Sequence, residues 1–119
     1  MTVSKALATL IAPVAFLAMP HLAIAGGSSS CHFHGSTPAP EKTVLECAAK
    51  RLDTLASKSK IDPLWKGKTH DSIEVVEAAK GKEWKVTYAD PQAKDAAKTK
   101  LYLYFSHSGN FLAVNHTGK

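Results

Sequence analysis

The clearest hydrophobic pattern in the chain lies between residues 41 and 59. Apolar side chains recur there at the spacing of one helix face: Val44, Leu45, Ala48, Leu52, Leu55 and Ala56. Glu41 suits the positive end of a helix, and Lys58 and Lys60 suit the negative end. The pattern therefore predicts a long amphipathic helix over 41–59.

After this helix, the spacing of apolar side chains changes to the two-residue alternation of β-strands. Four segments are predicted as strands: 73–78, 83–89, 100–107 and 110–117. Glycine-containing turns at 80–82 and 108–110 join them in pairs. The sequence therefore predicts two antiparallel hairpins.

Two aspartate–proline pairs mark short capped elements. Asp62 with Pro63 predicts a single turn after the long helix, and Asp90 with Pro91 opens a short polar helix over 92–98. Together the elements predict an α+β domain, in which a long N-terminal helix packs on one face of a four-stranded antiparallel sheet. A short helix lies between strands 2 and 3.

In the second hairpin, counting outward from the turn predicts which side chains share a face of the sheet. An aliphatic face is expected to pack on the helix: Leu101, Leu103, Phe105, Leu112, Val114 and His116. The other face is aromatic and half polar: Tyr102, Tyr104, Phe111, Ala113 and Asn115. Aromatic residues of small proteins are often core residues. Tyr102, Tyr104 and Phe111 are nevertheless a candidate interaction surface, through which two copies of the protein could form a dimer.

The first 25 residues have the order of a secretory signal peptide: a charged start, an uncharged run at 6–19, and small residues at Ala23 and Ala25. The uncharged run is shorter than the roughly 20 residues that span a membrane. We expect cleavage near Ala25, export to the periplasm and no membrane span after cleavage. The chain then divides into a signal peptide (1–25), a flexible Gly/Ser/His/Pro segment (26–40) and the α+β domain (41–119).

The distribution of charge and the lack of catalytic motifs reduce the number of function classes that fit the sequence. The formal net charge is +5, but the lysines are spread along the chain and Arg51 is the single arginine, so no concentrated basic face is expected. The sequence contains no serine nucleophile elbow, HExxH motif, phosphate loop or CxxC motif. We therefore expect a protein that is not an enzyme and has no nucleic-acid partner.

Chemically active side chains cluster in the Gly/Ser segment. Cys31 and Cys47 are the two cysteines of the chain. They are expected to form a disulfide in an oxidising compartment, with metal ligation or free thiols as alternatives. His32 and His34 point the same way in an extended segment and, with Cys31 or Cys47, are candidate ligands for copper, nickel or zinc. A solvated linker is the other interpretation, and a disulfide excludes thiolate ligation.

Two segments resemble PepSY-type domains: WKVTY at 84–88, a strand ending in an aromatic residue, and SGNFLAV at 108–114, a glycine turn before the last strand. The resemblance covers 41–118 and implies a helix followed by four strands. It also implies a role in binding or restraining peptidases, or in exported sensory modules, rather than in catalysis. Ser106, His107 and Ser108 stand where the usual acidic residue precedes the closing turn.

A second resemblance is to an uncharacterised family of small exported bacterial proteins with a single PepSY-like domain. It rests on the histidine-containing head, on KIDPLWKG at 60–67 and on LYLYFSHSGNFLAVNHTGK at 101–119. The sequence therefore predicts a small exported, non-enzymatic protein that binds a transition metal through its Cys/His cluster. The alternative is an interaction module that docks a peptidase, a sensor or a second copy through the aromatic sheet face. The partner is accordingly a metal ion or a periplasmic protein.

Overall fold

The computed structural model describes residues 31–119. The signal peptide, its cleavage near Ala25 and the start of the 26–40 segment lie outside the described residues. One α-helix and four strands are present within them: α1 (Glu41–Ser57), β1 (Ser72–Ala78), β2 (Gly81–Ala89), β3 (Lys100–Ser106) and β4 (Phe111–Asn115). All neighbouring strands pair antiparallel in the order β1-β2-β3-β4. The α+β class with one helix and a four-stranded antiparallel sheet is confirmed.

The apolar stripe of α1 forms one side of the core, as its spacing predicted. Its buried residues are Val44, Cys47, Ala48, Leu52 and Ala56. The helix ends two residues earlier than predicted because Ser59 adopts a left-handed conformation, with φ of 58°. Hydrogen bonds from Ser59 N to Ala56 O and from Lys60 N to Leu55 O then close the last turn.

The other side of the core comes from one face of the sheet. Its buried members belong to β2 and β3: Val86, Tyr88, Leu101, Leu103 and Phe105. Cross-strand pairing puts Val86 opposite Leu103 and Tyr88 opposite Leu101, which makes the face continuous. Burial of these side chains against α1 supplies the main hydrophobic stabilisation of the domain.

The two short capped elements differ in how well they were predicted. A 3₁₀ turn at Pro63–Trp65 begins as expected, with Asp62 Oδ1 accepting a hydrogen bond from Leu64 N at 2.9 Å. The helix predicted over 92–98 is reduced to a 3₁₀ turn at Ala96–Lys98. Its own cap, Asp95, accepts from Ala97 N at 2.9 Å, so the chain starts a new turn there instead of continuing from Asp90.

The β3–β4 hairpin does not follow the simple alternation predicted for it. Phe105 pairs with Phe111, while Tyr104 pairs with Ala113, so Leu112 is an extra residue in a β-bulge. Leu112 is 49% exposed, whereas the Phe111 ring lies 5.7 Å from the Phe105 ring. Phe111 therefore belongs to the helix side of the sheet and not to the face where it was predicted.

Candidate functional site

Burial alternates along residues 31–34, as it does in an extended segment whose side chains point alternately in opposite directions. Cys31 and Phe33 are partly buried, while His32 and His34 are exposed. This alternation turns the sulfur and the benzyl group toward the domain and leaves both imidazoles on the outside. We call residues 31–34 the histidine segment.

The first attachment of the histidine segment is covalent. Cys31 forms the predicted disulfide with Cys47, a residue of α1 that is 4% exposed. In the chain-entropy model, closing a loop of this length contributes about 3 kcal/mol to stability. Because both sulfurs are bonded to each other, neither serves as a thiolate ligand. The four-residue metal set of Cys31, His32, His34 and Cys47 is therefore not formed.

The second attachment is a pair of hydrogen bonds made by one side chain. Asn110, in the β3–β4 turn, accepts from Phe33 N through Oδ1 at 2.7 Å. Its Nδ2 donates to Phe33 O at 2.8 Å. A carboxamide that both accepts from and donates to the same residue imitates the exchange between paired residues of two strands.

The third attachment is made by packing around Gly109. The backbone of Gly109 has φ of 107°, and a Cβ added there would lie 3.0 Å from the Phe33 ring and 3.2 Å from Ala39. Ala39 N also donates to His107 O at 2.9 Å. The segment predicted to be flexible over 26–40 is therefore fixed to the domain from Cys31 onward, and residues 31–40 join the fold ahead of α1.

The attached segment presents its two imidazoles side by side. The ring centroids of His32 and His34 are 4.9 Å apart, and the ring planes meet at 85°. Two imidazoles bound to one metal through bonds of about 2.0–2.1 Å, at an angle of about 90–110°, place their centroids about 4.5–5.2 Å apart. The observed separation falls within this interval, so the spacing of the two rings is compatible with a shared metal ion.

Within the described part of the chain, the imidazole pair has no third protein ligand. Among residues 31–119, no group of three or more His, Cys, Asp or Glu side chains is arranged to hold a metal ion. A bound ion would therefore complete its coordination with water or with a ligand from outside residues 31–119. Such an open site binds less tightly than a closed structural site with four protein ligands.

Two of the remaining histidines of the domain, His107 and His116, lie beside tryptophans. The ring centroids of His107 and Trp84 are 6.3 Å apart, and the backbone carbonyl of His107 accepts a hydrogen bond from Trp84 Nε1 at 3.3 Å. The ring of His116 lies 6.2 Å from Trp65, and its Nδ1 donates to Lys100 O at 2.7 Å. The two rings lie beside different tryptophans and make no common site.

The aromatic surface predicted from Tyr102, Tyr104 and Phe111 is divided between the two faces of the sheet. Phe111 lies on the helix side, with the Arg51 guanidinium 4.3 Å from its ring centroid. Tyr104 is on the opposite face but is only 7% exposed. Tyr102 is partly covered, and Lys85 Nζ lies 4.8 Å from its ring centroid. The structure does not bring the three residues together as one contact surface.

The sequence identified the two histidines but not the residues that hold them in place. Asn110 and Phe33 are separated by 77 positions, so no local pattern links them. The sequence SGN at 108–110 predicted a turn. It did not indicate that the histidine segment packs on that turn. The positions of Phe33, Gly109 and Asn110 became evident only from the tertiary structure.

Over residues 2–119, the chain matches the family described as "Family of unknown function (DUF6488)", and it belongs to that family. No curated protein matches it, and no solved structure matches it. Within residues 31–119, none of the helices has the length and apolar character needed to cross a membrane.

Proposed function

We propose that this member of a family of unknown function is a small exported binding protein that holds a divalent transition-metal ion between His32 and His34 and catalyses no reaction. The observation that carries the proposal is the 4.9 Å separation of the two imidazoles on a segment attached to the domain. Copper, nickel and zinc are the candidate ions, because imidazole suits all three.

The attachments of the histidine segment support the proposal energetically. A free tail must lose conformational entropy when it binds an ion, at a cost of about 1–2 kcal/mol for each ordered backbone residue. Here the disulfide at Cys31 and the Asn110 hydrogen bonds order the segment when the protein folds. Binding then does not bear that cost, which is the general advantage of a preorganised site.

The disulfide also supports the proposed location. Disulfides persist in oxidising compartments, and the bond between Cys31 and Cys47 is consistent with an exported protein. A cleavable signal peptide over 1–25 and a periplasmic location remain our proposals for this chain. A PepSY-like classification likewise remains a proposal, supported by the order of one helix and four antiparallel strands.

The proposal is tested by titrating the unreduced protein with Cu(II), Ni(II) and Zn(II) in separate calorimetric experiments. We expect one ion per chain, with Cu(II) bound most tightly as the Irving–Williams order requires. The double variant His32→Ala/His34→Ala should lose this binding, and the control His70→Ala should retain it. Absence of binding tighter than about 1 μM, or about −8 kcal/mol, for all three ions would contradict the proposal.

A further inference from the structure

The face of the sheet that points away from α1 carries a second concave site. Cross-strand pairing places Lys85 opposite Tyr104 on this face, with Glu83 in the next row. Gly118 lies against the same face, because a Cβ added to it would be 3.2 Å from the Tyr102 ring. The strands and this terminal segment border an open groove of about 310 Å³. That volume is at the lower end of the range for small-molecule sites.

Tyr104 gives the groove a polar group that lacks a partner. Its side chain is 7% exposed. Among the described residues, its hydroxyl is the one buried side-chain polar atom without a hydrogen-bond partner. Burial first, then the nearby Tyr102, Glu83 and Glu74, raises the pKa of Tyr104, so the phenol stays protonated and can donate. A desolvated donor without an acceptor is unusual in native proteins, and it belongs to a residue that lines the groove.

The charged groups around the groove are of both signs. Lys85 stands beside Tyr104 and is not part of an ion pair, since the ion pair found within residues 31–119 joins Lys100 to Asp71. Glu83 is two residues before Lys85 on the same face of β2 and pairs with apolar Val76, while Glu74 of β1 pairs with Lys85. A simple anion would be attracted by Lys85 but repelled by Glu83. A simple cation would be attracted by Glu83 but repelled by Lys85.

We propose that this groove binds a small aliphatic zwitterion, that is, a free amino acid. The carboxylate of the ligand accepts hydrogen bonds from the Tyr104 hydroxyl and the Lys85 ammonium, and its ammonium group faces Glu83. Its alkyl group lies on Val76. Lys119 is exposed at the rim, so its side chain can move aside to admit the ligand. The site is independent of His32 and His34.

L-valine is the probe that tests this site, in a titration of the ¹⁵N-labelled protein followed by NMR. We expect saturable shifts of the Val76, Glu83, Lys85, Tyr104 and Gly118 amides, with a Kd of about 1 mM or tighter. Two matched compounds each remove one charge: 3-methylbutanoate lacks the ammonium group, and 2-methylpropylamine lacks the carboxylate. Both should bind at least about tenfold more weakly, as expected when a charged hydrogen bond is lost.

Tyr104→Phe separates a binding role for the hydroxyl from a structural one. Since the hydroxyl has no partner in the free protein, its removal should leave the thermal midpoint unchanged or raise it, while valine binding weakens about tenfold. The control Tyr102→Phe should keep valine binding. The proposal is overturned by no saturable shift at about 10 mM valine, by equal binding of either single-charge compound, by unchanged valine binding in Tyr104→Phe, or by a lower thermal midpoint in that variant.

Discussion

A single carboxamide connects the β3–β4 turn to the histidine segment. Asn110 makes two short hydrogen bonds to the backbone of Phe33, at 2.7 and 2.8 Å. Each contributes about 0.5–1.5 kcal/mol net when both partners are partly buried. No other side chain of residues 31–119 makes a hydrogen bond to residues 31–34, so Asn110 alone fixes their backbone through a side chain.

Asn110→Ala should therefore lower the free energy of unfolding by about 1–3 kcal/mol and loosen the histidine segment. Urea unfolding measures the first effect, and hydrogen exchange of the Phe33 amide measures the second. Asn115→Ala is the matched control, because Asn115 makes comparable bonds to Thr117 N and Gly118 N, away from the segment. Unchanged exchange at Phe33 in Asn110→Ala would contradict the role given to this residue.

The buried phenol of Tyr88 makes the stability of the domain depend on pH in the alkaline range. Burial, and to a smaller extent Asp53, raises the pKa of Tyr88 from 10.0 to about 12. The folded state thus holds the phenol proton more tightly than the unfolded chain does. This contribution, about 3 kcal/mol, is fully present below pH 10 and is lost as the pH rises through 12.

Tyr88→Phe should accordingly flatten the fall in stability between pH 10 and pH 12. The measurement is urea unfolding at a series of alkaline pH values, with Tyr102→Phe as the control that keeps the fall. A variant curve parallel to that of the wild type across this interval would show that Tyr88 does not carry the effect.

At the scale of elements, the β-bulge in the second hairpin reverses the roles of two neighbours. Simple alternation predicts Leu112 in the core and Phe111 outside, whereas the structure places Phe111 against Phe105 and leaves Leu112 49% exposed. The reversal follows from the turn: Ser106 N donates to Asn110 O and Gly109 N donates to Ser106 O. This closes the hairpin before Phe111 and leaves one unpaired residue in β4.

Phe111→Ala should destabilise the domain by about 2–3 kcal/mol, at or just below the usual range for a fully buried Phe because the ring is only partly buried. Leu112→Ala, the neighbouring control, should change the unfolding free energy by less than about 0.5 kcal/mol. Both are measured by urea unfolding. A larger loss for Leu112→Ala than for Phe111→Ala would restore the register predicted from alternation.

The elements that were predicted correctly are those whose signal is local. The apolar stripe of α1 and the cap at Asp62 depend only on residues that are close in sequence, so residue spacing was enough to predict them. The short helix was overestimated because a second cap at Asp95 competes with the one at Asp90. The bulge was missed because strand register depends on the hydrogen bonds of the turn, and these are not visible in the alternation of residue types.

At the scale of the whole molecule, the candidate site depends on contacts between distant parts of the chain. Sequence spacing placed His32 and His34 on one side of an extended segment, and compartment and cysteine count favoured the disulfide with Cys47. The packing of Phe33 on Gly109 brings the start of the described chain onto the β3–β4 turn, and neither segment alone predicts this contact. The sequence predicted a flexible tail, whereas the structure has an attached segment that carries two exposed imidazoles.

Our main proposal is that one metal ion contacts both imidazoles of this attached segment. Its most direct test is a titration of the unreduced protein with Zn(II), observed through the imidazole ¹H–¹⁵N NMR signals. We expect one equivalent to shift the signals of His32 and His34 together, while those of His70, His107 and His116 stay in place. Saturation at one equivalent with only one of the two rings affected, or with neither, would contradict it.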